Sequence, residues 1–269
     1  MTSADWNVAT KVDPKQLGDA RVLTQNGVHW LARIANSYLD GEPRGRQLLT
    51  YDADRHAFCT TVFAHEITTE LRLPSLELQF LEGGQPVPHI LDVEGRSPAQ
   101  VEAWVLVELL HRGIDRDRFS KGLPYDTENL MTGDSVEFSP ESFADQLGDL
   151  SLWFANAHQC LSSLAGVHGL PSSQRLMCWP DQLQIGFVLA TNPGEPASDR
   201  AIRVAMSAGD GRTAEPHFLV ATQTDGQLRT AYPGTLITAS RILSDKMGCA
   251  DVAAILEGMI AATRKRMAS

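Results

Sequence analysis

The chain has 269 residues, with 23 Lys and Arg against 33 Asp and Glu, so its formal net charge is −10, and 43% of its residues are hydrophobic. This apolar content excludes an intrinsically disordered chain, and 21 Gly with 14 Pro are too few for a collagen-like array. The acidic balance argues against nucleic acid as a partner, because binding a phosphate backbone requires clustered Lys and Arg.

The first half of the chain predicts a helix, four or five strands and a second helix. Apolar residues at helical spacing over Val28–Leu39 predict the first helix, and Asp40-Gly41 ends it. Ser97 and Pro98 predict the start of the second helix, which is expected to run to His111. Alternating apolar residues predict the strands between them, at 47–51, 57–63, 76–80 and 87–93.

The second half repeats this order. Ser139-Pro140-Glu141 predicts the start of a long helix that ends at Gly166, and a last helix is expected over Asp251–Arg266. Asp225-Gly226 indicates a hairpin, and 192–196 reads as a loop. The strands are predicted at 175–179, 183–190, 201–206, 218–222 and 228–232.

The repeated order predicts an α+β fold of two similar helix-sheet-helix halves, at 16–114 and 139–269, either separate or packed as one compact unit. A charged, turn-rich segment at 115–138 is the predicted linker. An internal duplication explains this order, and two unrelated α+β halves are the alternative. Because the connections between strands are short, we expect antiparallel sheets covered by helices on one face.

Motifs for metal, nucleotide or nucleophilic-serine chemistry are absent from the sequence. His65-Glu66 opens like a zincin helix, but Thr69 stands where the second His is required. There is neither a Gly-Lys-Ser/Thr phosphate loop nor a Gly-x-Ser-x-Gly elbow. We therefore predict no metal and no cofactor, although ligands that converge from distant strands remain open. The eight His stand at 29, 56, 65, 89, 111, 158, 168 and 217, with no i, i+4 pair.

The cysteines favour a cytoplasmic location. Cys59, Cys160, Cys178 and Cys249 stand far apart with no Cys-x-x-Cys pair, which is typical of reduced thiols. We expect no secretory signal, because polar residues interrupt each apolar run of residues 1–15. No stretch approaches the roughly 20 apolar residues that span a bilayer, so we expect no membrane partner.

Cys178-Trp179-Pro180-Asp181 is the segment that most resembles a ligand site. Trp179 offers a flat wall and Asp181 a polar anchor, although a core Trp followed by a Pro-Asp turn is the alternative. We predict a binding module for a small organic ligand or a peptide, held in a cleft between the halves near Trp179. The alternative is a hydrolase or transferase in which Cys178 is the nucleophile and His168 its base.

The helix that carries Trp104 has more apolar positions than one buried stripe needs. Leu106, Val107 and Leu110 lie outside that stripe. This surplus makes self-association through helix faces a third hypothesis, in which a homodimer would bury these residues. The partners predicted for this protein are therefore a small molecule, a protein or a second copy of the chain.

The order of elements from Val28 onward resembles an uncharacterised bacterial family, a domain of unknown function. That family has a Ser-Pro step and aromatic residues before its Trp, where this chain has Ser173-Gln174, Leu176 and Met177. The resemblance implies the order of the fold and a bacterial source, and it implies no activity. The likeness rests on His29-Trp30, 76–80, 89–92, Gly113-Ile114-Asp115, 139–143 and the approach to Trp179.

Overall fold

The computed structural model describes residues 10–40, 49–170, 176–191, 200–224, 227–228 and 236–268. The helices in these ranges are α1 (Gly18–Tyr38), α2 (Pro98–His111), α3 (Ala144–Val167), α4 (Ala239–Ser244) and α5 (Cys249–Ala268). The strands are β1 (Leu49–Asp52), β2 (Ala57–Cys59), β3 (Ile67–Arg72), β4 (Glu77–Glu82), β5 (Gln85–Asp92), β6 (Met177–Trp179), β7 (Gln184–Ala190), β8 (Arg200–Ser207), β9 (His217–Thr224), β10 (Gln227–Leu228) and β11 (Leu236–Thr238). In the described ranges, no helix has the length and apolar content needed to cross a bilayer.

The eleven described strands form one antiparallel sheet, in the order β10-β9-β8-β7-β6-β1-β2-β3-β4-β5, with β11 also paired to β9. The first strands of the two halves meet at its centre, where Leu49 lies opposite Cys178 and Thr50 opposite Met177. The predicted α+β class and the antiparallel pairing are confirmed. The two halves share a single sheet, which the sequence left open.

The pleat of the sheet divides its side chains between two faces. Tyr51 and Phe58 lie on one face and pack their rings against Phe154 of α3, with centroids 5.5 and 4.9 Å apart. Leu71 lies on the same face, against Gly27 of α1, where a Cβ would come within 2.8 Å of the Leu71 side chain. We call this the core face, because its residues belong to the main hydrophobic cluster, which includes both halves. The opposite side is the second face.

The predicted capping of α2 is confirmed. The Ser97 hydroxyl accepts a hydrogen bond from the Gln100 backbone N–H at 3.3 Å, and Gln100 Oε1 accepts one from the Ser97 N–H at 3.0 Å. This reciprocal pair satisfies two N–H groups that a helix start leaves free. At the next Ser-Pro step, 140–143 is a 3-10 turn, and α3 begins only at Ala144.

Several predicted bounds were wrong. α1 begins at Gly18, ten residues before the predicted start, and β2 ends at Cys59, four residues before its predicted end. The sequence pattern missed β11 and α4. The predicted hairpin at 225–226 and loop at 192–196 lie outside the described residues.

The segment predicted as a linker, 115–138, lies along α1. His29 Nδ1 is 2.9 Å from the Tyr125 hydroxyl, and Arg33 Nε donates a hydrogen bond to the Lys121 carbonyl at 2.9 Å. The Asn26 side-chain oxygen accepts a hydrogen bond from the Met131 N–H at 2.8 Å. These bonds use polar groups on a largely buried helix, so the segment satisfies the hydrogen-bonding groups of α1.

We predict that His29 makes stability depend on pH. Burial, and to a smaller extent the charge of Arg33, lowers the pKa of His29 from 6.5 to about 3. Below pH 6.5 the His29 imidazole is therefore protonated in the unfolded chain but stays neutral in the folded chain. This difference lowers the free energy of unfolding by up to about 1.4 kcal/mol per pH unit down to pH 3. His29→Gln has no imidazole to protonate. The difference in free energy of unfolding between the native chain and His29→Gln, measured by urea denaturation, should therefore decrease from pH 7 to pH 4. A difference that stays constant over this range would contradict the lowered pKa of His29.

Candidate functional site

Trp179 lies at the end of β6 on the second face, and only 8% of it is exposed. Its ring packs in a small apolar cluster with Ala205, Leu219 and Ala221. The Arg203 guanidinium stacks on the ring, with its central carbon 4.0 Å from the ring centroid. The Trp179 ring is thus mostly buried and makes a cation–π contact with Arg203. Such a contact is stabilising when both groups are desolvated.

Arg203 of β8 is nearly fully buried, and glutamine side chains surround it. Its Nη1 donates hydrogen bonds to the side-chain oxygens of Gln182 and Gln184, at 3.2 and 3.3 Å, and its Nε to that of Gln223 at 3.2 Å. Burial lowers the pKa of Arg203 to about 10, and the charge of Asp181 acts in the opposite direction. Desolvation raises the pKa of Asp181, against the effect of Arg203. The structure therefore stacks Trp179 against a buried cation, and the half-buried Asp181 acts on that cation through its charge.

Cys178 and His168 have different surroundings. Cys178 is fully buried on the core face, and burial and the charge of Asp181 raise the pKa of its thiol well above the usual value. His168 follows the end of α3, where its Nε2 lies 3.0 Å from Glu257 Oε1 of α5. Because a nucleophilic thiol needs a lowered pKa, the environment of Cys178 is unsuited to the predicted catalytic role.

A half-open hollow of about 660 Å³ lies on the second face beside the β1–β6 junction. Its buried lining residues include Cys59, Glu70 and Leu81, and exposed residues such as Thr61 and Val62 stand at its rim. The other lining residues are Thr50, Asp52, Arg55, Thr60, Glu66, Thr68, Gly83 and Gly84.

A buried carboxylate fixes the polar floor of the hollow. Glu70 accepts two hydrogen bonds from Arg55, at 2.8 and 2.7 Å, and one from Arg72 Nε at 2.6 Å. Arg72 also donates to the Gln79 side-chain oxygen at 2.5 Å, and Gln79 donates to the Val87 carbonyl at 2.6 Å. Two guanidinium groups therefore hold one carboxylate in a single position.

Glu66, which lines the hollow, and its neighbour His65 are both in the left-handed region. His65 and Glu66 have φ angles of 56° and 59°. Each non-glycine residue in this region costs about 1 kcal/mol, and such strain concentrates at functional sites. The Glu66 carbonyl accepts a hydrogen bond from the Gly83 N–H at 3.1 Å, which holds this corner against the β4–β5 turn. The rejection of a zincin helix is confirmed, since Thr69 lies in β3.

The hollow adjoins the cluster around Trp179. Thr50, which lines the hollow, pairs with Met177 across the junction, and Met177 packs against the cluster. The sequence reasoning missed the charged residues of this face, of which Glu70 and Arg203 are the most buried. One signal could have found them: each stands in the interior of a strand, next to apolar residues, on the side that alternation assigns to water.

Comparison with protein-family models, curated proteins and solved structures finds no match for this chain. The resemblance to the uncharacterised bacterial family stays a prediction. A functional proposal therefore rests on the chemistry of the site itself.

We predict that Glu70 stabilises the floor of the hollow. Glu70→Gln leaves two guanidinium groups close together without an anion, and we expect it to lower the free energy of unfolding by about 2–3 kcal/mol, less than for a fully buried pair because both Arg are partly exposed. Glu77→Gln is the matched control, since Glu77 Oε2 lies 3.8 Å from Arg72 Nη1 and is more exposed. Its expected effect is below about 0.5 kcal/mol. Equal losses for the two variants in urea denaturation would refute this role.

The four cysteines are expected to react with a thiol reagent in an order set by burial. Cys249 is half-buried, whereas Cys59, Cys160 and Cys178 are buried. In the native protein Cys249 should be labelled first, and Cys249→Ser should remove the fast phase seen by mass spectrometry. Preferential labelling of Cys178 would instead support a reactive Cys178 with His168 as its base.

Proposed function

We propose that the protein is a binding module that holds a small organic ligand in the hollow on the second face of its sheet. The observation that carries this proposal is the concave site of about 660 Å³ over a fixed, buried charge network. Small-molecule sites commonly enclose about 300–1,000 Å³ and combine apolar walls with a few converging polar groups. A volume of this size favours a small molecule over the peptide that the sequence left as a second possibility.

The lining favours a ligand with a cationic group. Arg55 and Arg72 carry two positive charges, and Glu70, Asp52 and Glu66 carry three negative charges, so these groups leave one negative charge in excess. Threonine hydroxyls line other parts of the hollow, and Val62 and Leu81 supply apolar surface. A small amine with a short apolar part would pair with the carboxylates and use both kinds of surface.

In this proposal Trp179 supports the site from the side. It lies under Arg203 in the adjoining cluster, which Met177 links to the hollow. Its contribution is to hold the β6 end of the face rigid, while ligand contacts come from strands β1 to β4. In this proposal the cleft predicted near Trp179 lies on the neighbouring strands of the same sheet.

We also propose that the two halves arose by internal duplication and that helices gather on the core face. The pairing of β1 with β6 supports this origin, because the first strand of each half lies at the centre and later strands follow outward on both sides. The ring contacts of Tyr51 and Phe58 with α3 support the placement of helices. Four free cysteines support a cytoplasmic location.

Self-association stays a proposal with one supporting observation. Val107 and Leu110 of α2 are exposed, as the surplus apolar positions of this helix predict. No contact among the described residues favours the Cys178 and His168 pair of the alternative enzyme hypothesis. Thiol labelling is the test of that alternative.

A thermal-shift screen against small metabolites tests the binding proposal. A ligand at 100 times its Kd stabilises the folded state by about 2.7 kcal/mol, a rise in Tm of roughly 5–10 °C for a chain of this size. We expect a shift from a small amine, its loss in Thr61→Trp, which fills the hollow, and its retention in Ser163→Trp. Thr61 and Ser163 are both exposed, but Ser163 lies on α3.

Three outcomes would count against this site. The absence of a shift from any compound would remove support for a small-molecule ligand. A shift that survives Thr61→Trp would place the ligand elsewhere on the chain. Loss of the shift in Trp179→Ala with retention in Thr61→Trp would assign the ligand to the Trp179 cluster.

A further inference from the structure

Three potential metal ligands meet where α2 packs beside the edge strand β5. His89 lies on β5, and Glu108 and His111 lie on α2. The Nδ1 atoms of His89 and His111 are 3.4 and 3.7 Å from the same oxygen, Glu108 Oε1. One ligand atom from each residue lies within 4.8 Å of the others, so a single ion can reach all three.

α2 contributes Glu108 and His111 to this cluster, and β5 contributes His89. Glu108 and His111 stand three positions apart, which places them on one side of α2. The Glu108 side chain is only 3% exposed, whereas the His89 and His111 side chains are 65% and 54% exposed. A buried carboxylate thus lies beneath two imidazoles that are open to solvent.

Arg112 orients the carboxylate. Its Nη1 donates a hydrogen bond to Glu108 Oε2 at 2.7 Å, and its guanidinium stacks on the Phe80 ring at 4.7 Å from the centroid. Oε2 is therefore engaged, and Oε1 is directed toward the imidazoles. This is the role of outer-shell groups in metal sites, which fix the orientation of the groups that bind the ion.

The imidazoles surround Oε1 at distances longer than hydrogen bonds. N–H···O hydrogen bonds span about 2.7–3.2 Å, and the two Nδ1 atoms of His89 and His111 lie at 3.4 and 3.7 Å. Zinc binds nitrogen and oxygen at about 2.0–2.2 Å, which in a tetrahedral site sets ligand atoms roughly 3.3–3.6 Å apart. The two nitrogen–oxygen distances match a shared ion to within a few tenths of an ångström, and ligand atoms of all three residues lie within 4.8 Å of one another. Rotation of the exposed imidazole rings can bring the two His nitrogens to the distance that a shared ion requires.

We propose that His89, Glu108 and His111 bind one divalent ion of the zinc class, with Glu108 ligating through Oε1. Two imidazole nitrogens and one carboxylate oxygen form a donor set that suits Zn²⁺ and its first-row neighbours. Three protein ligands leave at least one coordination position open to solvent. The site stands apart from the hollow and does not depend on the proposed ligand there.

Calorimetric titration of the untagged, chelator-treated protein with Zn²⁺ tests this site, with the visible absorption of bound Co²⁺ as a second readout. We expect one high-affinity Zn²⁺ per chain. His89→Asn, His111→Asn and Glu108→Gln should each weaken binding by at least about tenfold, since each removes one of three ligands. His65→Asn is the matched control, because His65 is exposed and lies outside the cluster. It should leave the affinity and the Co²⁺ spectrum unchanged.

Far-UV circular dichroism of the metal-free variants checks that each one folds. Because His89 and His111 are exposed, we expect the variants at these positions to fold. The test therefore does not depend on Glu108→Gln alone. Failure of the native chain to bind Zn²⁺, or equal binding by native chain and His89→Asn, would overturn the proposal. Binding that requires both His but is unchanged in Glu108→Gln would also overturn it, because it would show a pair of surface imidazoles only.

Discussion

β1 and β6 meet through two residue pairs, Leu49 with Cys178 and Thr50 with Met177, and the rest of the structure depends on this junction. Because the pleat continues across it, side chains of both halves are sorted onto the same two faces. A slip of one residue would turn the side chains of one strand to the other face relative to its partner, so that either Leu49 or Cys178 would leave the core. The main hydrophobic cluster, which includes residues of both halves, resists such a slip.

The second face keeps charged groups out of water on both sides of the junction. Glu70 lies between two arginines, and Arg203 lies on the Trp179 ring among glutamines. Burying an ion costs several kcal/mol of folding free energy. Proteins in which apolar side chains of similar size replace a buried ion pair are often no less stable. Groups held in this way have few alternative positions, which is what selective recognition of a polar ligand requires. This fixed arrangement supports the ligand site proposed for this face.

Local sequence signals predicted most elements of the fold, and their failures have local causes. α2 was predicted well because Ser97, Pro98 and Gln100 form a cap from neighbouring residues. α1 was predicted too short because Gln25-Asn26-Gly27 interrupts its apolar spacing. Asn26 is nevertheless buried there, since its side chain bonds the Asn129 carbonyl and the Met131 N–H of the segment that lies along the helix. Only those distant partners make a polar residue acceptable at that position.

The sequence by itself determined the type and order of most elements and the alternation that separates the two faces of each strand. These properties depend on spacings of two to four residues along the chain. The tertiary structure alone decided that 49–50 pairs with 177–178, that Arg203 lies on Trp179, and that His89 approaches Glu108. Such contacts depend on which strand edges meet and on which charges share a desolvated space. Periodicity does not encode those relations, because they join residues that are far apart in the chain.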